Sequence, residues 1–232
     1  MTHERTQTLQ KGIFVFPDFQ PETLFCFSSR EFDASKDLPA FLEAIGVSQN
    51  RHVAIEQVHG DQVWVASTEG TSVRPEADSL VTGEKGLALV IRTADCVPVF
   101  FLDPEAPAIG LCHAGWRGAQ KRIVSKTLDV LRRRFRSQPE SLQVAMGPSI
   151  CQNCYEVGGE FEQSFPGSVE RRGRQFFFDL RGALKRELQD AGVQEDSIRE
   201  SEFCTACSVD QFFSARKEGV ETGRLISAAV LK

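Results

Sequence analysis

The chain is poor in imidazole, phenol and indole. Its 232 residues hold four His, one Tyr and two Trp, against 18 Phe. It has no apolar run of membrane-spanning length, which excludes a transmembrane helix. It has no surplus of positive charge: 27 Lys and Arg against 32 Asp and Glu leave a net charge of −5 at pH 7. That balance argues against a nucleic-acid partner, because phosphate backbones demand a basic face. The strongest basic cluster, Arg132–Arg133–Arg134, reads as a solvated helix end favoured by the helix dipole. A P-loop, a G-x-G-x-x-G turn and a G-x-S-x-G elbow are also missing, which removes the common phosphate-cradling and serine-hydrolase frameworks. The zinc signature of base deaminases is absent too: no histidine has Glu two places on, and Pro148 is not adjacent to Cys151.

Seven cysteines are present, an odd number in a long chain whose first ten residues, "MTHERTQTLQ", carry no secretory leader. Reduced thiols and a cytoplasmic location are expected. No linker, repeat or low-complexity tract interrupts the sequence, so residues 1–232 read as one domain with 1–10 as an N-terminal tail. "GIFVFPD", "TLFCFSS", "GLALVIR", "VPVFFLD", "APAIGLC", "SLQVAM", "RQFFFDL", "SIRESEF" and "RLISAAVL" read as strands. "HVAIEQV" and "QVWVA" read as a hairpin turning at Gly60–Asp61. "DLPAFLEAIG" reads as a short helix, capped by Asp37 and stopped at Gly46. "QKRIVSKTLDVLRRRF" aligns Ile123, Val124, Thr127, Leu128, Leu131 and Phe135 on one helical face. "YEVGGEFEQSF" and "ALKRELQDAG" read as further helices. Strands lead without regular alternation with helices, which predicts an α+β domain with mixed sheets.

Three strand ends carry soft or borderline metal ligands: His59 in "EQVHGD", Cys96 in "RTADCVPV" and His113 in "LCHAGWRG". Two imidazoles and a thiolate suit zinc, and three protein ligands leave a fourth position open, as in catalytic sites. The residues leave a second metal reading open. "CQNC" (Cys151, Cys154) and "CTAC" (Cys204, Cys207) are paired C-x-x-C units of the kind that grip structural zinc, although widely separated. A redox C-x-x-C would need a thioredoxin-like βαβ context, which is missing.

"QVHG", "RTADCVPV", "HAGWRG", "GPSICQNCYEVG", "FDL", "CTAC…FFSAR" and "TGR" stand in the order of the laccase-domain family, also called polyphenol-oxidase-like or multifunctional purine nucleoside phosphorylases, which the chain resembles from about Phe25 onward. The resemblance implies a single-domain sandwich of mixed β-sheets with helices packed outside, in α/β/β/α layers. It implies that His59, Cys96 and His113 hold Zn2+, with Cu2+ as the alternative ion. It implies phosphorolysis of adenosine, inosine, guanosine or methylthioadenosine to base and ribose 1-phosphate, with adenosine deamination beside it. The partners are then a nucleoside and phosphate, with neither nucleic acid nor membrane.

On that footing Cys96, Asp95 and Arg117 are the expected catalytic residues. Asp95 would orient the ligand or move a proton, its alternative being a turn aspartate capping its own backbone. Arg117, with the first amides of the following helix, would bind an anion. Arg30, Gln57 and Trp116 are the expected substrate contacts, Trp116 by stacking on a purine. The chain departs from the family pattern at "SSREFDASKDLPAF", where Ser29 and Arg30 remain but a glycine-rich stretch, an Asn-Leu-Gly segment and an Asn-Arg pair do not. That stretch is expected to line the substrate pocket. The oxidase name finds little support in the residues, since four histidines cannot furnish a blue copper and a trinuclear cluster. Three other readings stand: copper-dependent phenol oxidation at the triad, a Cys–His amide hydrolase acting in peptidoglycan precursor editing, and a non-catalytic zinc-stabilised binding domain.

Overall fold

The computed structural model describes residues 6–19, 21, 23–70 and 74–232. Two six-stranded sheets dominate it. In spatial order the first holds Gln7–Gln10, Ile13–Val15, Thr23–Ser28, Leu225–Leu231, Ala88–Thr93 and His52–Ala54. The second holds Ile198–Glu200, Gln143–Met146, Val97–Asp103, Ala108–Ala114, Ser79–Thr82 and Val63–Val65. Both are mixed: His52–Ala54 runs parallel to its neighbour in the first, and Val63–Val65 and Ile198–Glu200 do so in the second.

Period-two alternation assigns each strand face to a different core. Phe25, Phe27, Leu89 and Ile91 of the first sheet meet Leu80, Phe100, Leu102 and Leu111 of the second in one buried cluster. The intervening Cys26, Val90 and Ala228 turn outward and are covered by Phe41 and Leu42 of helix Leu38–Ala44. On the far side, Val97, Val99 and Phe101 turn outward from the second sheet. Helices Ile123–Phe135 and Leu180–Asp190 cover them through Ile123, Leu128, Leu131, Leu184 and Leu188. The three cores separate four layers, the α/β/β/α sandwich expected from the resemblance. Much of the phenylalanine excess fills the middle core, where the Phe100 ring lies 5.2 Å from Phe25 and 5.8 Å from Phe16. Phenylalanine supplies aromatic volume there with no polar atom to satisfy.

The structure corrects several expectations. "HVAIEQV" and "QVWVA" do not form a hairpin: His52–Ala54 joins the first sheet and Val63–Val65 the second. The intervening turn crosses between sheets because the Asp78 carboxylate captures its amides. Residues Gln7–Gln10, read as tail, pair antiparallel with Ile13–Val15 as an edge strand, while 1–5 lie outside the described residues. "YEVGGEFEQSF" holds only the single turn Phe161–Ser164, because Gly158 and Gly159 interrupt it and Glu156–Val157 enters a small third sheet. Helix Leu180–Asp190 begins earlier than expected, its first turn capped by Asp179 Oδ1 accepting from the Gly182 amide at 2.9 Å.

Phe100 has no exposed surface and packs from the second sheet against Phe16 and Phe25 on the first-sheet side. Phe100→Ala is expected to cost about 3–5 kcal/mol of unfolding free energy. Urea titration should show this as a lowered midpoint at unchanged slope.

Candidate metal centre

All three ligands sit where the chain passes from one sheet to the other or reaches a sheet end. His59 lies in the crossing between His52–Ala54 and Val63–Val65, and Cys96 in the crossing between Ala88–Thr93 and Val97–Asp103. His113 lies at the end of Ala108–Ala114, opposite Pro98, two residues beyond Cys96. His59 has φ 54° and Asp95 has φ 86°, both in the left-handed region that a side chain rarely adopts. Such strain persists only where surrounding contacts over-determine the backbone. At each residue those contacts are visible.

At His59 they come from Asp78. Its fully buried carboxylate accepts the amides of Val58, His59 and Gly60 at 3.3, 3.1 and 2.5 Å. The same carboxylate lies 2.8 Å from His113 Nδ1, so Nδ1 carries the proton and Nε2 is left as the ligand nitrogen. Burial alone would raise the Asp78 carboxyl, but the His113 and amide bonds hold it below the usual range. Asp78 therefore sets one ligand's backbone and the other's tautomer. The sequence reading missed it, since "EADSL" looks like an ordinary turn.

At Asp95 the contacts come from the far end of the chain. Its carboxylate accepts Thr205 Oγ1–H at 2.6 Å and the Arg216 amide at 2.7 Å, while its carbonyl accepts the Ile150 amide at 3.0 Å. Asp95 therefore braces the backbone ahead of Cys96, and its oxygens are already engaged.

The three ligand atoms lie within 4.8 Å of one another, and the two imidazoles meet nearly at right angles, 81° between planes. Burial would raise the Cys96 thiol, but the facing charge and hydrogen bonds of His113 and His59 bring it from 9.0 to about 6. Burial would conversely lower His113, and the Cys96 thiolate and Asp78 carboxylate raise it from 6.5 to about 9. The donor set thus offers a ready thiolate and an oriented imidazole, which suits a divalent ion. Gly115 makes room for it: a Cβ there would stand 2.8 Å from Cys96 Sγ and 3.4 Å from His59. The first glycine of "HAGWRG" thus leaves space for the ligand side chains.

The triad floors a cavity of about 710 Å³, a volume suited to a small organic ligand. Asp33, Ser35 and Lys36 line it, so the divergent stretch does reach the pocket, together with Arg92 and the Val220–Arg224 loop. Gln57 lines it too, but its amide is spent on the main chain of Arg92, donating to the carbonyl at 2.7 Å and accepting the amide at 2.8 Å. Other expected site residues stand apart from this lining. Arg30 lines a separate cavity with Asp210 and Gln211, pairs with Glu218 at 2.9 Å and lies over Phe213. Trp116 packs on Phe161 at 5.2 Å in the helix-side core, because its indole finds apolar cover there. Arg117 stacks on Trp116 at 4.4 Å, at the start of the five-residue helix Trp116–Gln120. Lys36, an isolated cation on a polar stretch, carries no motif, and Arg92 stands at the head of "RTADCVPV" without a sign that it would face the cavity.

Removing the Asp78 carboxylate should loosen the ion. Asp78→Ala is expected to weaken metal affinity about 10–100-fold, measurable by competition with a chromogenic chelator. In metal-free protein, Cys96 is expected to react with iodoacetamide at pH 7 and to lose reactivity as pH falls through about 6. His113→Ala removes the facing cation, so the fall should move to higher pH. Site-resolved mass spectrometry reads both.

The sequence profile described as multi-copper polyphenol oxidoreductase laccase matches residues 33–232. Adenosine deaminase RL5, from an unknown prokaryotic organism, is 37% identical over 67% of this chain, which spans 62% of that relative's length. A purine nucleoside phosphorylase of Deinococcus radiodurans is 36% identical over 78% of this chain and 71% of its own. The crystal structure of YlmD from Geobacillus stearothermophilus superposes with a TM-score of 0.92 at 26% identity, covering 99% of this chain and 100% of that one. A profile match over most of the length, joined to these relatives, places the chain in the multi-copper polyphenol oxidoreductase laccase family.

Proposed function

We propose that this chain is a zinc-dependent purine nucleoside phosphorylase. The observation that carries the reading is the convergence of two imidazoles and one thiolate on the floor of a cavity that also presents Arg92 and Lys36. Relatives named purine nucleoside phosphorylase support the substrate class. The donor set favours zinc over copper, since two nitrogens and one sulfur with an open fourth position match catalytic zinc. With four histidines in all, a multicopper centre has no second group of imidazoles to draw on.

Phosphorolysis breaks the bond from C1′ of the ribose to the purine nitrogen and forms a bond from C1′ to a phosphate oxygen. The base leaves with a proton. Zinc, when held by His59, Cys96 and His113, would supply a Lewis acid for an oxygen of phosphate or sugar. The chain's own groups do the rest. Arg92 and Lys36 offer positive charge to the incoming phosphate. The Gln57 amide fixes the Arg92 main chain and so the origin of its side chain. Asp33 and Glu221 offer carboxylates to ribose hydroxyls. Asp33 is held below the usual carboxylate range by the Ser35 and Arg224 amides, which outweigh its burial, so it stays an acceptor at neutral pH. Asp95 acts as a positioning residue, holding the turn that presents Cys96.

Adenosine deamination is the second reading, favoured by the relative named for that activity and by the same open coordination position. Incubation with adenosine and phosphate is expected to yield adenine and ribose 1-phosphate, while inosine and ammonia without phosphate would mark deamination. Cys96→Ala should abolish both together with the zinc held by the triad. Arg92→Ala should lower kcat/KM for phosphate about tenfold or more. Failure to release base from adenosine, inosine, guanosine or methylthioadenosine in the presence of phosphate and zinc would overturn the phosphorylase reading.

A further inference from the structure

Four thiols meet outside the triad. Cys151 and Cys154 flank the short turn after strand Gln143–Met146, and Cys204 and Cys207 flank the turn after strand Ile198–Glu200. Fifty-odd residues separate the two pairs in sequence, yet all four sulfurs lie within 4.8 Å of one another. Cys154 Sγ is 3.4 Å and Cys151 Sγ 3.9 Å from Cys207 Sγ. A disulfide would require about 2.05 Å, and all four are free thiols. Four sulfurs held tetrahedrally at about 2.3 Å from one ion stand about 3.8 Å apart, and the observed separations bracket that spacing.

Two further observations point to a cation among these thiols. The Cys151 amide donates to Cys204 Sγ at 3.2 Å, a bond that favours a thiolate over a thiol. Beside the cluster lies Arg181, partly buried and spent on neutral acceptors: Ser149 Oγ at 2.5 Å, the Ser149 carbonyl at 3.0 Å, the Ser201 carbonyl at 2.7 Å and the Phe203 carbonyl. Among the described residues no carboxylate forms an ion pair with it; Glu200 acts on it only from a distance, with Cys204 and Cys151 next, although a desolvated guanidinium calls for a close counter-charge. Four thiolates around a divalent ion carry a net negative charge and supply one.

We infer that Cys151, Cys154, Cys204 and Cys207 bind a second zinc ion, closed by four sulfurs and structural in role. Its position gives that role content. The two turns it joins are the ones that hold Asp95: Ile150 donates to the Asp95 carbonyl, Thr205 to its carboxylate, and the Thr205 amide to the Ser149 carbonyl at 3.1 Å. The second ion therefore clamps the segments that brace the strained residue beside Cys96. The ion itself is independent of what the cavity catalyses; only this consequence rests on the metal reading of the triad.

Elemental analysis of the full chain, prepared without chelators, tests the inference. Wild type is expected to carry one zinc equivalent more than His59→Ala/His113→Ala and one more than Cys154→Ser/Cys207→Ser. Unchanged zinc in the cysteine variant, or none in a folded histidine variant, would overturn it. Should the cysteine variant fail to fold, the histidine variant loaded with cobalt keeps the question open to measurement. It should show sulfur-to-cobalt charge transfer and the strong visible bands of a tetrahedral four-thiolate site, and their absence overturns the inference. Thiol titration of denatured, chelated wild type should return all seven cysteines; a deficit of one pair would mean a disulfide and would overturn it as well. Loss of phosphorolysis with both zinc equivalents retained would sink the phosphorylase reading and leave the second ion standing.

Discussion

Asp78 is a full negative charge with no exposed surface, and burying such a group unpaired would cost several kcal/mol. Three backbone amides and one imidazole meet it, so the charge is compensated on every side the structure presents. In exchange it holds the turn at residues 58–60, through which the chain, having left the first sheet after Ala54, enters the second at Val63. The same carboxylate that compels the crossing also turns His113 toward Cys96. Fold topology and ligand geometry thus share one origin. A protein that lost this carboxylate would lose a sheet crossing and a tautomer together.

The remaining constraints follow the same economy. His59 and Asp95 each hold a backbone conformation that costs on the order of 1–3 kcal/mol, and each is pinned from a distant segment. Gly115 is needed for space rather than for its backbone freedom, since Cys96 Sγ occupies the volume a methyl group would take. The centre is built at the strained joints between two well-packed sheets, which supply the rigidity that a loop-borne ligand lacks. Charge is arranged to match: a thiolate and a cationic imidazole stabilise each other until an ion displaces the proton between them.

Much of this was legible in the residues. The apolar face of Ile123–Phe135 and the strand runs carry local patterns that the structure keeps, and it brings His59, Cys96 and His113 within reach of one another. What escaped was non-local. The "HVAIEQV…QVWVA" pair has the composition of a hairpin, and only an acid some twenty residues on sends its halves to different sheets. Trp116 and Arg117 drew attention as a stacking and anion pair, but core packing against Phe161 claimed the indole. The residues around Asp95 suit orienting the ligand, moving a proton or capping its own turn, and nothing local shows that Thr205 and Arg216, more than a hundred positions away, hold its carboxylate. The thiols of the two C-x-x-C units were visible, but nothing in their spacing told that strands Gln143–Met146 and Ile198–Glu200 pair in parallel and bring them together.

The strand Leu225–Leu231 occupies the middle of the first sheet, buried along its whole length between Thr23–Ser28 and Ala88–Thr93. Until that segment has been synthesised, both neighbours present open edges, and the inter-sheet phenylalanines have no closed wall to pack against. A nascent chain halted before Leu225 would hold every triad ligand yet lack the sheet that carries Ala88–Thr93 up to Cys96. Assembly of the triad is consequently an event that follows translation of this strand.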